Sequence, residues 1–163
     1  MVACMLNPKK LLGSILLCEL VGIAGSVFTS TSIATWYPAL AKPSFTPPNW
    51  LFAPVWTTLF FLMGISLYLI LQSKPKPANR KFKKWAIWAF GMQLALSFLW
   101  SAIFFGAHMV FLAFAEIMFL WIAIMATILF SRKVSGHAAG LLVPYLLWVT
   151  LASTLNFAIW LLN

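Results

Sequence analysis

The sequence predicts an all-α membrane protein, folded as a single five-helix transmembrane domain over residues 1–163. The composition carries this prediction, because 63% of the residues are hydrophobic and only 8% are charged. A water-soluble domain carries about a quarter charged residues, so this chain cannot cover a water-facing surface. The nine tryptophans agree with this class, since indole rings are enriched at the two membrane–water interfaces.

Five apolar segments each have roughly the 20 residues that a helix needs to cross the hydrocarbon core. They cover approximately residues 11–29, 50–71, 85–105, 110–130 and 139–161. None shows the alternation of a barrel strand, and helices satisfy their own backbone hydrogen bonds in lipid. Hydrophobic residues continue past Glu19 in the first segment, which favours a retained helix over a cleaved signal peptide.

The basic residues predict the orientation of the chain. All but one of the 11 lysines and arginines fall in the N-terminal segment, the second loop and the fourth loop. These regions share one side of a five-helix topology, and Lys42 in the first loop is the exception. Because cytoplasmic loops carry the excess of positive charge, we expect a cytoplasmic N-terminus and a C-terminus outside.

The first loop, WYPALAKPSFTPPNW at residues 36–50, combines four prolines with three tryptophan or tyrosine rings. Proline fixes φ and disfavours helix at the residue before it, so the loop is expected to be stiff and extended. A stiff loop loses little entropy when a ligand binds. The pattern therefore predicts a rigid aromatic lid at this side of the membrane.

Three spans carry polar and aromatic residues three or four positions apart, a spacing that places them on one helix face. The sets are Ala53, Thr57, Phe60 and Gly64; Gln93, Ser97, Trp100 and Phe104; and Tyr145, Trp148, Ala152, Asn156 and Ile159. Small and amide residues also mediate ordinary packing between membrane helices, which is the alternative for each set alone. Beside an aromatic loop, the three sets together indicate a pocket with flat rings and few hydrogen-bonding groups.

Other chemistry has little support in the sequence. The only two acids, Glu19 and Glu116, fall inside apolar spans, where an ionisable group indicates either a functional site or a structural hydrogen bond. Cys4 and Cys18 lack metal-ligand spacing, and the two histidines fall in loops on opposite sides, so we expect no metal site. The chain has no aspartate, so a Ser-His-Asp triad is excluded.

Three blocks resemble the translocator protein family, also called the tryptophan-rich sensory protein or peripheral benzodiazepine receptor family. They are WYPALAKPSFTPPNWLFAPVW, GMQLALSFLWSAIFFGAH and LLVPYLLWVTLASTLNFAIW. The resemblance implies five transmembrane helices around a pocket capped by the first loop, commonly in a homodimer. It also implies flat apolar ligands, namely tetrapyrroles such as protoporphyrin IX and haem, some sterols, and synthetic isoquinoline or benzodiazepine-type compounds.

The resemblance and the helix faces together predict the ligand-binding residues. They are Trp36, Tyr37, Pro47, Trp50, Ala53, Trp56, Phe60, Ser97, Trp100, Tyr145, Trp148, Ala152 and Asn156. The rings would wall the pocket, Ser97 and Asn156 would make polar contacts, and Ala152 would set its width. No cofactor is required, since porphyrin or haem is the ligand.

Gly91 and Ala95 form a small-xxx-small pair in the third span, which lets helices approach closely. The pair predicts a homodimer through this helix. A contact between helices of one chain is the alternative.

The chain also departs from the family pattern. Phe157 and Leu161 stand where a tyrosine and an arginine are usual in the last helix, which argues against sterol binding by that route. Phe45 replaces a tryptophan of the loop, Ser97 an asparagine, and Glu116 a common aspartate. The lack of the usual sterol-recognition pattern in the last helix, and of an organelle signal, favours a bacterial member in the cell membrane.

Three hypotheses for function follow. The leading one is a membrane receptor, sensor or carrier for tetrapyrroles. The second is an enzyme that degrades porphyrin with light or oxygen, with Trp56 and Trp148 as electron donors. The third is a transporter, which the absence of an internal repeat makes less favourable.

Overall fold

The computed structural model describes residues 7–163, and Cys4 lies outside them. The helices are α1 (Pro8–Thr35), α2 (Asn49–Gln72), α3 (Arg80–Ser101), α4 (Val110–Arg132), α5 (Gly136–Leu141) and α6 (Val143–Leu162). Within the described residues, five helical segments are long and apolar enough to span a membrane. They are Pro8–Thr35, Asn49–Gln72, Pro77–Gly106, Val110–Arg132 and Gly136–Leu162. The predicted all-α class and its five spans are confirmed.

The first span is longer than its apolar segment predicts, and its hydroxyl side chains explain the difference. Ser26, Ser30, Thr31 and Thr35 each donate a hydrogen bond to a backbone carbonyl three or four residues earlier. A hydroxyl that is bonded to its own helix adds no unsatisfied group to an apolar environment. The helix therefore continues past residue 29 to Thr35.

The last span is broken into α5 and α6. Ser135 caps α5 by accepting a hydrogen bond from the Ala138 backbone N–H. Pro144 lies in the first turn of α6 and has no backbone N–H to donate to the Gly140 carbonyl. The break at Leu142 is therefore a consequence of the proline.

The helices form a ring around a buried aromatic and aliphatic core. α1 packs against α2 and α3, α4 packs against α3 and α6, and α5 packs against α2. Phe52 of α2 and Trp148 of α6 complete the ring with an edge-to-face contact at 6.1 Å between centroids. The order around the bundle is thus α1, α2, α5 with α6, α4 and α3.

α1 and α2 touch most closely at one end of the bundle. A Cβ atom added to Gly64 would lie only 2.5 Å from the Cα of Ile15, so the two backbones meet there. The Asn7 backbone N–H also donates a hydrogen bond to the Tyr68 hydroxyl over 3.0 Å. This is the end at which α2 and α4 finish and α3 begins, and we call it the lysine-rich end.

Candidate functional site

A cavity of about 470 Å³ lies between α1, α2 and α3, away from the lysine-rich end. Its volume falls in the range of roughly 300–1,000 Å³ that small-molecule sites occupy. The lining runs from Glu19 to Ile33 on α1, from Asn49 to Phe60 on α2, and from Ser97 to Phe105 on and after α3. Exposed residues such as Ser26, Ser30 and Thr57 form its rim, so the cavity opens to the outside of the bundle between α1 and α2.

Stacked aromatic rings form the inner wall of the cavity. The Trp56 and Trp100 indoles stack with centroids 6.4 Å apart and an angle of 27° between their planes. Phe60 lies 5.8 Å from Trp56, and Phe52 and Phe105 also line the cavity. Such a wall offers broad π faces to a flat apolar ligand.

Asn156 holds one ring of this wall in place. Its side-chain carbonyl accepts a hydrogen bond from the Trp100 indole N–H over 3.1 Å. Its amide nitrogen donates to the Val110 backbone carbonyl over 2.9 Å. Asn156 therefore positions Trp100 from behind the wall and does not itself line the cavity.

The α1 side of the cavity is built from small residues. A Cβ on Gly22 would collide with the Phe60 ring, and one on Gly25 would meet the Ser101 hydroxyl at 3.3 Å. These glycines let α1 approach α2 and α3 at the deep end of the cavity. Thr29 and Ser30 lie nearer the other end, where they add hydroxyl groups to the lining.

The two acids lie in different surroundings. Glu19 is partly buried and lines the cavity. Glu116 is 7% exposed, and its carboxyl oxygens have no hydrogen-bond partner within residues 7–163. Gln93 and Tyr145 likewise have buried polar atoms without a partner in that range, although the Tyr145 phenol lies near the Ser97 hydroxyl. Glu19 is therefore the acid that the structure associates with the cavity.

In the structure α2 begins at Asn49, so the first loop is shortened to residues 36–48. Several contacts hold it at the opposite end from the lysine-rich end. Trp36 stacks on His108 with centroids 4.2 Å apart, and Tyr37 is buried against Phe52 and Phe105. The Lys42 ammonium donates to the carbonyls of Tyr37, Pro38 and Leu40 over 2.8–3.2 Å. Burial raises the pKa of the Tyr37 phenol to about 12.

The loop is also tied to the C-terminus. The Asn163 side chain accepts a hydrogen bond from the Ala41 N–H and donates one to the Ala41 carbonyl, both over 3.1 Å. The cavity lining passes from Ile33 to Asn49 without any residue of the loop. Closure of the pocket by this loop stays a prediction.

The structure brings together five of the predicted ligand-binding residues and separates the others from the cavity. Those that line it are Ala53, Trp56, Phe60, Ser97 and Trp100. Trp36, Tyr37, Pro47 and Trp50 belong to the first loop or the start of α2 and do not line it, and Trp50 is 72% exposed. Tyr145, Trp148, Ala152 and Asn156 lie on α6, behind the aromatic wall.

The α6 residues support the wall from the far side. The Tyr145 ring contacts Trp56 edge to face at 6.2 Å, and the Trp148 ring contacts Phe52 at 6.1 Å. Ala152 is partly buried and packs against the core. In this structure these α6 residues contact the wall or the core and do not line the cavity.

The residues of α1 that line the cavity were not predicted from the sequence. Gly22, Gly25, Ser26, Thr29 and Ser30 line the cavity, yet none was among the predicted residues. The signal that could have found them is the run of small and hydroxyl residues from 22 to 32 in an otherwise aliphatic span.

Gly91 and Ala95 are both exposed on the outer surface of α3. A Cβ atom added to Gly91 would meet no described atom within 4 Å. The structure therefore shows no close contact at Gly91 between helices of one chain, which was the alternative to a dimer. Dimer formation through this pair stays a prediction.

The fold and the cavity define a class, that of helical-bundle membrane proteins with a lateral, aromatic-walled cavity. Comparison with known proteins gives the family. The family model described as TspO/MBR family matches residues 14–161. The chain therefore belongs to the TspO/MBR family and is an integral membrane protein.

Relatives cover nearly the whole chain. A tryptophan-rich protein TspO from Archaeoglobus fulgidus is 46% identical over 97% of this chain and 99% of its own length. Another of the same name from Chlorobaculum tepidum is 45% identical over 90% of this chain and 91% of its own. The translocator protein of Homo sapiens is 37% identical over 83% of this chain and 79% of its own. The resemblance that the motifs predict is confirmed.

Proposed function

We propose that this protein is a membrane receptor, sensor or carrier that binds a flat tetrapyrrole in the cavity between α1, α2 and α3. The observation that supports this most is the stacked pair of Trp56 and Trp100 along the inner wall. Relatives carry the names translocator protein and tryptophan-rich sensory protein, which agree with a receptor or carrier role.

The distribution of polar groups suggests how the ligand would lie. Hydroxyl groups of Thr29 and Ser30 and the amide of Asn49 line the cavity towards the end that carries the first loop. A porphyrin ring against the indoles would place its carboxylates near these groups and the membrane surface. If the porphyrin lay the other way round, its carboxylates would approach Glu19, which would cost free energy through desolvation and repulsion.

The lining favours a metal-free porphyrin over haem. Among the described residues that line the cavity, there is no histidine, cysteine or methionine. Haem iron would therefore receive no axial ligand of the usual kinds from these residues. We therefore expect protoporphyrin IX to bind more tightly than haem.

The test is titration of the purified protein with protoporphyrin IX, followed by the porphyrin absorption band. Trp56→Ala should weaken binding by about 1–3 kcal/mol, as for a buried aromatic anchor. Trp50→Ala removes an exposed indole outside the cavity and serves as the matched control. Trp148→Ala should have the smaller effect of a supporting residue. Equal affinities of wild type and Trp56→Ala would remove the ligand from this cavity.

An enzymatic role is the second candidate, because an oxidisable indole pair lies where the porphyrin would bind. In light, the excited porphyrin would take an electron from Trp56 and pass it to dioxygen. The oxidised Trp56 would then recover an electron from the porphyrin, so that the net step is oxidation of the porphyrin by dioxygen. Sustained product formation over many turnovers under illumination would favour this role. A single stoichiometric bleaching would favour the receptor or carrier.

We also propose that the lysine-rich end faces the cytoplasm, which places the C-terminus and the first loop outside. The excess of lysine and arginine at that end supports this orientation. In a protein whose Cys4 and Cys18 are replaced by serine, a membrane-impermeant thiol reagent should label a cysteine added after Asn163 in intact cells. Labelling only after lysis would reverse the orientation.

A further inference from the structure

A second concave surface lies outside the bundle, between α3 and α4 and towards the lysine-rich end. It encloses about 740 Å³. Its apolar lining includes Trp85, Trp88, Met92, Ala126 and Phe130, and Lys81 and Lys84 line its mouth. We call this surface the α3–α4 groove. It shares no residue with the cavity of the proposed function.

Measured along the helix axis, the groove is about as long as one membrane leaflet is thick. From Lys81 to Met92 the helix rises about 16 Å at roughly 1.5 Å per residue. That distance is about half of the ~30 Å hydrocarbon core. Trp85 and Trp88 are 55% and 66% exposed, so their rings are available to a molecule in the groove. The dimensions therefore suit a single acyl chain of the adjacent leaflet.

The mouth of the groove carries uncompensated positive charge. The Lys81 ammonium lies 5.3 Å from the centroid of the Phe82 ring. Within residues 7–163, neither Lys81 nor Lys84 donates a hydrogen bond to the protein, whereas Lys83 donates to the Leu71 and Ser73 carbonyls at the end of α2. The only acids of the chain are Glu19 on α1 and Glu116 on α4, and neither lines the groove. An anionic group is the natural partner of this pair.

We propose that the α3–α4 groove binds an anionic phospholipid of the leaflet at the lysine-rich end. The phosphate headgroup lies at Lys81 and Lys84, and one acyl chain packs along Trp85, Trp88 and Met92. Basic pockets between membrane helices are known to recognise anionic headgroups. The occupant is distinct from the porphyrin, and the proposal does not depend on porphyrin binding.

A second copy of the chain fits the groove less well. Two copies in one membrane would be related by an axis along the membrane normal, so their lysine-rich ends would lie at the same level. Packing groove against groove would bring four lysines together without an acid. Gly91 and Ala95, the predicted dimer pair, do not line the groove.

The experiment measures quenching of Trp85 and Trp88 by lipids with brominated acyl chains in vesicles at low salt. Brominated phosphatidylglycerol is compared with brominated phosphatidylcholine, and the signal of W85F/W88F protein is subtracted. We expect wild type to prefer phosphatidylglycerol. In K81Q/K84Q, this preference for phosphatidylglycerol should fall roughly fivefold for each lysine removed. K74Q/K76Q removes the same charge from the same end, outside the groove, and should keep the preference.

Two outcomes would overturn the proposal. Equal loss of preference in K81Q/K84Q and K74Q/K76Q would mean diffuse attraction to the whole basic end. A126F fills the groove and should weaken contact with both lipids. If A126F instead dissociates a dimer and leaves the quenching by both lipids unchanged, the groove is an interface between copies.

Discussion

The indole N–H of Trp100 on α3 donates a hydrogen bond to the side-chain carbonyl of Asn156 on α6, over 3.1 Å. Asn156 also donates to the Val110 carbonyl at the start of α4. One amide thus ties three helices together behind the cavity. In lipid there is no water to replace these bonds, so the amide fixes both the ring and the helix ends.

Asn156→Leu should lower both stability and porphyrin affinity. The change leaves the buried Trp100 indole N–H without a partner, which costs about 1–3 kcal/mol, and it removes the bond to the Val110 carbonyl. Thr150→Val is the matched control, because it removes the 2.9 Å bond from the Trp121 indole on the outer surface. The measurements are a melting curve and a porphyrin titration of both variants. If Thr150→Val weakens porphyrin binding as much, the Trp100–Asn156 pair has no special role.

Gly64→Ala should destabilise the contact between α1 and α2. Its new Cβ would lie 2.5 Å from the Cα of Ile15, and backbone cannot move as a side chain can. Overpacking of this kind typically costs about 1–3 kcal/mol. Gly13→Ala, on α1 with no described atom within 4 Å of its added Cβ, should be neutral or stabilising. Equal melting temperatures for the two variants would contradict the close approach.

Gly91→Leu should convert a detergent-solubilised dimer into a monomer. Gly91 and Ala95 leave a shallow exposed surface on α3, where a second helix can approach closely. A leucine there blocks that approach, and its Cβ atom meets no described atom within 4 Å. Gly140→Leu, at an exposed position of α5 with open space around it, is the control. A dimer that persists in Gly91→Leu must use another interface.

Much of the fold could be predicted from the sequence because membrane spans depend on length and hydropathy alone. The buried face of α3 was also readable, since Gln93, Ser97 and Trp100 fall one turn apart and all three are buried. Periodicity shows which residues share a face. It does not show which helix that face meets.

The candidate ligand site was harder to predict, because periodicity within one helix does not show which helix its face meets. Tyr145, Trp148 and Ala152 share a face of α6, but that face meets α2 and the core instead of the cavity. The cavity exists because α1 meets α2 closely at Gly64 and both then border an open space beyond Phe60. This depends on how three helices pack. No spacing within a single helix encodes it.

The most direct test of the account is to fill the cavity without disturbing its wall. Ala53 is an exposed lining residue of α2, and Ala53→Phe would place a ring in the space proposed for the porphyrin. Ala24→Phe adds the same ring at an exposed position of α1 that does not line the cavity. We predict that Ala53→Phe weakens protoporphyrin IX binding by about tenfold or more, equal to about 1.4 kcal/mol, while Ala24→Phe binds as wild type does. Unchanged affinity in a folded Ala53→Phe protein would contradict the account.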